Sequence, residues 1–312
     1  MKETITLTDF QVELKHIKKD KYSGSQKVLN DFLNLFIKFL SNCKELESMT
    51  NEELFKIIKF NFRSLLESHN QFALLRHFNL EIMNACDSYF TKLIDAKNPD
   101  IDFKITLKDF LLTKVDSYIK TWVSVNDRIA MNALKNIDFI DKTILLHSNS
   151  STVRHLFNYI RKQSISVEII QTESRPKCEG RVQADYISSL GFKVTYIIDA
   201  AAIKYLSKVD FVLMGCDSVY PEYFINKVGT KAIALGCKKY NIPFYIITDS
   251  RKLSSVEYIR PENKKPISEI ITSASTYKFN IENYYFESIP NEFITKLITE
   301  NEIYEENFKL KI

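Results

Sequence analysis

The sequence predicts an α/β protein with a helical N-terminal domain over residues 1–137 and a Rossmann-like parallel-sheet domain over 138–312. Two observations carry this. Apolar residues recur near a period of 3.6 up to about residue 137, the spacing of a buried helix face. From Lys142 on, short runs rich in Val, Ile, Phe and Tyr alternate with amphipathic stretches, the βαβα pattern of a parallel sheet covered by helices. A third observation agrees: 6 glycines and 7 prolines in 312 residues are too few for the turns of an all-β architecture.

In chain order, Val28-Leu29, Phe32-Leu33, Leu35-Phe36 and Phe39-Leu40 mark the buried face of one helix. Residues 51–68 repeat the pattern with Leu54, Ile57, Ile58, Phe60, Leu65 and Leu66, behind a start at Thr50-Asn51 followed by Glu52-Glu53. A long helical stretch runs from about Leu107 to Leu134 through Leu111, Val115, Ile119 and Trp122. No glycine falls between Gly24 and Gly180, so only Pro99 forces a break. Strands are expected at 143–147, 166–172, 193–198, 210–214 and 243–248. Helices are expected at 153–162, 180–190, 200–208 and 230–240. Each strand ends in polar residues, and ligands of an open α/β sheet bind outside the carboxyl ends of its strands. Taken singly, such ends also serve as ordinary helix caps.

Composition excludes several classes. With 45% hydrophobic and 26% charged residues the chain is globular rather than disordered. A net charge of +4 is too mild to argue for nucleic acid, and the Phe and Tyr residues read as core rather than as stacking platforms. No apolar run is long enough to span a membrane, and the charged start is not a signal peptide, so the expected compartment is cytoplasmic. The 5 cysteines form no CxxC pair and the 5 histidines fall at no helical metal spacing. Neither a disulfide framework nor a metal site is expected, and no cofactor. Phosphate-loop, dinucleotide, nucleophile-elbow and zinc-protease motifs are absent.

The most informative segment is Gly215-Cys216-Asp217-Ser218-Val219, followed by Phe224-Ile225-Asn226-Lys227-Val228-Gly229-Thr230. A strand delivers Asp217 to the sheet's carboxyl edge. Asn226 and Lys227 follow in a loop before a helix starting near Thr230. A helix N-terminus beside a lysine suits an anion, and an acid beside it can move a proton if burial raises its pKa. The plain alternative is an Asp217–Lys227 pair that only holds the loop. Cys216 reads as packing, Cys178 as an ordinary thiol in a basic loop, and Lys18-Lys19-Asp20-Lys21 as a solvated helix end.

These motifs resemble the alpha, beta and delta subunits of translation initiation factor 2B and two isomerase relatives. The relatives are methylthioribose-1-phosphate isomerase and ribose-1,5-bisphosphate isomerase. Besides the Gly-Cys-Asp-Ser-Val and Asn-Lys-x-Gly-Thr motifs, the resemblance includes Thr143–Ser150 and Thr172-Glu173-Ser174-Arg175-Pro176 to Gly180. It extends through Pro243–Lys252 and Asn283–Glu300, the last expected as a strand and helix. Near the start, Ile17, Asp20 and Ser23-Gly24-Ser25 resemble a phosphate-contacting helix start. The resemblance implies Asp217 and Ser148 at the catalytic positions and Ser23, Gly24, Ser25, Asn149, Arg175, Asn226 and Lys227 as ligand contacts.

The departures matter as much. The isomerases carry a Thr-His-Cys-Asn loop; this chain has Leu146-His147-Ser148-Asn149. A serine hydroxyl is a poor base without an activating partner, and His147, its neighbour on the strand, points to the other face. Ser23-Gly24 stands where the isomerases have Arg-Gly, and His69 falls where they have a second arginine. In the other direction, Asp217, Asn149 and Ser150 match the isomerases, whereas the alpha subunit typically carries Glu at the position of Asp217. The reading favoured is an alpha-subunit-like protein that binds a phosphorylated sugar or nucleotide without full isomerase activity. The alternative is an active aldose–ketose isomerase on a ribose phosphate. Expected partners are further copies of the chain, as a homodimer or higher oligomer, and translation-factor-like proteins, with no direct nucleic acid and no membrane.

Overall fold

The computed structural model describes residues 4–20, 23–95, 105–255, 264–271 and 278–310. Lys21 and Pro99, named above, lie outside them. The chain divides into two compact units, Met1–Val123 and Ser124–Ile312.

The first unit is helical: α1 (Leu7–Lys19), α2 (Ser25–Asn42), α3 (Asn51–Ser68), α4 (Ala73–Asp95) and α5 (Leu107–Trp122). The expected starts have physical causes. Thr50 caps α3, its Oγ accepting from the Glu53 amide while the Glu53 carboxylate accepts from the Thr50 amide. The apolar stripe of α2 sends Phe32 and Phe36 into a cluster with Phe62 and Phe78, with ring centroids 4.9–6.3 Å apart.

The long helix expected over 107–134 is two helices, α5 and α6 (Val125–Asn136). Val123 is exposed and Ser124 leaves the helical conformation (φ −98°, ψ 10°) to stand at the start of α6. Serine competes with the helix through its own hydroxyl and favours such ends. The division between units falls at this break, one helix before the texture change that suggested residue 137.

The second unit continues with β1 (Lys142–Leu146), α7 (Ser151–Lys162), β2 (Val167–Thr172), α8 (Gly180–Ser189), β3 (Lys193–Ile197), α9 (Ala202–Leu206) and β4 (Phe211–Met214). Next come β5 (Ser218–Val219), β6 (Tyr223–Lys227), α10 (Thr230–Tyr240), β7 (Phe244–Ile247), β8 (Phe286–Pro290), β9 (Lys296–Ile298) and β10 (Ile303–Glu305). The five expected strands all form and pair in parallel: β1 with β2 and β4, β2 with β3, and β4 with β7. The sheet order is β10-β9-β7-β4-β1-β2-β3, with β10 antiparallel at one edge. The order reverses between β1 and β4, the place where a doubly wound sheet opens a crevice.

Two elements differ from expectation. Residues 218–227 form β5 and β6, which pair antiparallel with each other and with β8 in a second, three-stranded sheet. Asn226 and Lys227 therefore sit on a strand, not in a loop. The C-terminal segment supplies β8, a 3₁₀ turn at Asn291–Phe293 and β9, where a strand and helix were expected. Pro290 ends β8 and starts that turn; it has no amide N–H to extend a ladder.

Candidate functional site

The carboxyl ends of β1 and β4 bracket the sheet's switch point. After β1 the chain turns through His147-Ser148-Asn149-Ser150 into α7, and after β4 through Gly215-Cys216-Asp217 into β5. Ser148 adopts a left-handed conformation, φ 66°. Its amide donates to Ser174 Oγ at 2.7 Å, while the Ser150 amide donates to Gln183 Oε1 at 2.8 Å. Ser150 Oγ caps α7, and a Cβ at Gly215 would collide with it, so glycine is required for the close approach of the two strand ends.

The loop after β2 supplies the next wall. The Asp199 carboxylate accepts from the amides of Ser174 and Arg175, both at 2.7 Å, which fixes the loop; Ser174 is also left-handed, φ 62°. Arg175 itself is exposed. Further along, the Glu179 carboxylate lies 2.7 Å from Lys227 Nζ and 3.4 Å from Ser148 Oγ. A Cβ at Gly180 would run into the Thr172 carbonyl and approach the Glu173 carbonyl to 3.0 Å, so only glycine lets α8 begin here.

From the second sheet, β6 delivers Asn226 and Lys227, both buried. Lys227 Nζ lies 4.9 Å from the Tyr285 ring centroid besides its bond to Glu179. Asn226 donates to Thr230 Oγ at 3.0 Å, so part of its amide holds the turn into α10. Asp217 enters beside β6, its amide donating to Ile225 O at 2.9 Å. Lys252 Nζ, also buried, donates to Cys216 O at 2.7 Å, beside Asp217. Burial pushes the Cys216 thiol up to about 11, in keeping with a packing role.

Ser148, Glu179 and Lys227 thus form one bonded group, with Asn149 following Ser148 and Asn226 preceding Lys227. Two buried oxygens in this region, Asn149 Oδ1 and Glu179 Oε2, have no protein partner. Both are acceptors and suit a ligand that brings hydroxyl donors. The start of α10 is not open. Glu287 Oε1 on β8 accepts from the amides of Gly229 and Lys231, both at 2.8 Å. A carboxylate of the chain itself therefore occupies the N-terminus that the sequence suggested for an external anion.

His147 is buried beneath the site. Its Nδ1 lies 2.6 Å from Thr172 Oγ and its Nε2 3.0 Å from Val228 O. Burial pushes its pKa down to about 4; Asp199 opposes this and Lys227 adds to it. The ring is therefore neutral at pH 7, with its nitrogens engaged by Thr172 and Val228.

Ser23, Gly24 and Ser25 belong to the first unit, at the start of α2. Gly24 is the capping residue and accepts from the amides of Lys27 and Val28; the Ser23 amide donates to Asp20 Oδ1 at 3.0 Å; Ser25 is buried. His69 Nε2 lies 3.0 Å from the carbonyl of Asp20, the residue that closes α1.

Sequence reasoning noted Asp199 as the polar end of a strand and Lys252 as the end of a motif without giving either a role, and passed over Glu179 and Glu287. Glu179 reads as an ordinary acid at a helix start, and the other three come to the site from loops or a strand distant in sequence. Among the described residues, no group of three or more His, Cys, Asp or Glu side chains could hold a metal ion, and no helix is long and apolar enough to cross a membrane.

Comparison with known proteins agrees with this architecture. The Pyrococcus horikoshii translation initiation factor eIF-2B superposes with a TM-score of 0.75 at 20% identity, covering 95% of this chain and 96% of that one. The ribose 1,5-bisphosphate isomerase of Archaeoglobus fulgidus is 29% identical over 163 residues, 51% of this chain and 52% of that protein. The match thus spans about half the length of that relative. The translation initiation factor eIF2B subunit alpha of Dictyostelium discoideum is 25% identical over 244 residues, 71% of this chain and 73% of that one. Residues 23–304 match the Initiation factor 2 subunit family, IF-2B, and the chain belongs to that family.

Proposed function

We infer that this chain is an alpha-subunit-like binding member of the family, holding a phosphorylated sugar or nucleotide at the carboxyl ends of β1 and β4 and acting through protein contacts rather than turnover. One observation carries the reading. Ser148 stands where the resemblance puts an isomerase cysteine, and the carboxylate beside it is already engaged in an ion pair. Its hydroxyl meets Glu179, whose carboxylate is held by Lys227, and the neighbouring imidazole faces Thr172 and Val228. A hydroxyl whose carboxylate neighbour is tied up by an ammonium moves protons poorly at neutral pH.

The chemistry of the ligand follows from the donor set. The two unpartnered oxygens at Asn149 and Glu179 call for hydroxyl donors, which a ribosyl group supplies. Arg175, exposed on the loop after β2, supplies a phosphate contact. The relative named as an eIF2B subunit alpha supports action within an assembly of subunits.

The reading is tested by a thermal-shift screen with ribose 5-phosphate, ribose 1,5-bisphosphate, 5-methylthioribose 1-phosphate and nucleoside monophosphates, paired with an NMR assay for isomerisation. A ligand that binds only the folded state raises its melting temperature by mass action. Stabilisation without turnover supports a binding protein. Turnover identifies the isomerase, with Asp217 as its proton-transfer group.

A further inference from the structure

We propose that His147 is a positioning residue of the site: a buried imidazole that holds the Ser148 loop and the Lys227–Gly229 turn in their ligand-binding arrangement. The inference rests on the binding function proposed above.

The hydrogen-bond pattern fixes the tautomer. Val228 O can only accept, so Nε2, 3.0 Å away, carries the proton. Nδ1 is then left with its lone pair, which accepts from the Thr172 hydroxyl at 2.6 Å. Ser174 Oγ lies 3.4 Å from the same Nδ1 and accepts from the Ser148 amide at 2.7 Å. One ring thus connects three segments that are distant in sequence: the ends of β1 and β2, and the turn between β6 and α10.

The turn is shaped around the ring. Gly229 sits at φ 104°, and a Cβ there would stand 3.1 Å from Cε1 and 3.2 Å from Nε2 of His147. The imidazole therefore seats directly against the backbone that follows Lys227. A filler of apolar volume would occupy the same space but would leave Val228 O and the Thr172 hydroxyl without this partner. The charged groups facing the ring are Asp199, 3.8 Å from Nδ1, and Lys227. Their effects on its charge oppose each other, and burial decides for the neutral form.

The test compares His147→Gln, His147→Asn and His147→Phe with the wild type at pH 7.5. Ribose 5-phosphate, ribose 1,5-bisphosphate and AMP are the probes, Kd is measured by calorimetry, and melting temperature is recorded separately. Gln places an amide N–H near the position of Nε2 and reaches Val228 O. Asn places its amide near Nδ1 and reaches only Thr172. Phe fills the volume with neither bond. The expected result is a Gln variant within about threefold of wild-type Kd, with Asn and Phe weakened about tenfold or more. Equal Kd in all folded variants overturns the positioning role and leaves the binding function standing. If Phe does not fold, Gln against Asn decides in the same way. A wild type that binds none of the three probes overturns the binding function and the positioning role together.

Discussion

Lys227 and Glu179 form the ion pair at the centre of the site, Nζ to Oε1 at 2.7 Å, with side-chain exposures of only 4% and 17%. Lys227 arrives on β6 of the second sheet and Glu179 at the start of α8, after β2. Because both are largely withdrawn from water, each depends on the other. Removing one partner of such a pair costs more than replacing both by apolar groups.

Lys227→Met is therefore expected to destabilise the fold by about 2–4 kcal/mol, less than for a fully sealed pair because Glu179 keeps some contact with water. The double variant Lys227→Met, Glu179→Leu recovers most of that loss. Urea unfolding of the single and double variants measures it. A double variant as unstable as the sum of its singles contradicts the pairing.

The neutral state of His147 makes stability depend on pH. Its folded pKa of about 4 lies below the ordinary value of 6.5, so the unfolded chain binds the proton more readily. The contribution is fully present above pH 6.5 and is lost as pH falls toward 4, about 3 kcal/mol in all. Unfolding of the wild type and of His147→Gln between pH 4 and 7.5 isolates it. The difference between the two curves shrinks toward pH 4, and a difference that does not change with pH contradicts the assignment.

Glu287 caps α10 by accepting from the amides of Gly229 and Lys231. Glu287→Ala removes both bonds and is expected to cost about 1–2 kcal/mol, read from the urea midpoint. A midpoint equal to that of the wild type shows that the cap contributes nothing.

Gly180→Ala forces a methyl group against the Thr172 and Glu173 carbonyls, which are backbone atoms and cannot swing away. The expected loss is about 3 kcal/mol or more. Gly191, at φ 91°, tests the specificity of this expectation. The nearest atoms to a Cβ there belong to the flexible Arg161 side chain, so Gly191→Ala suffers only the backbone strain, about 1 kcal/mol.

The parallel sheet was legible because each buried strand is a short apolar run closed by polar residues, and the helices between them are amphipathic. The β5–β6–β8 sheet was not. Ser218-Val219 is too short to show a period, and Tyr223–Lys227 acquires its ladder from Phe286–Pro290, far along the chain. The same distinction holds at the site. Local motifs pointed to Asp217 and Lys227, and the family resemblance to Ser148. Glu179 and Glu287 were not legible, because what they do depends on which amide or ammonium the fold sets beside them. The closure of the α10 N-terminus by Glu287 is likewise a tertiary fact that no local pattern encodes.

The central claim is that the site binds without turning over, because the carboxylate that the Ser148 hydroxyl meets, Glu179, lies 3.4 Å away and is held in an ion pair by Lys227. The most direct test incubates the wild type and Ser148→Cys with whichever ribose phosphate stabilises the wild type, and follows aldose–ketose conversion by NMR. The account predicts binding without conversion in the wild type and measurable conversion in Ser148→Cys. Conversion by the wild type that Asp217→Asn abolishes while binding persists contradicts it.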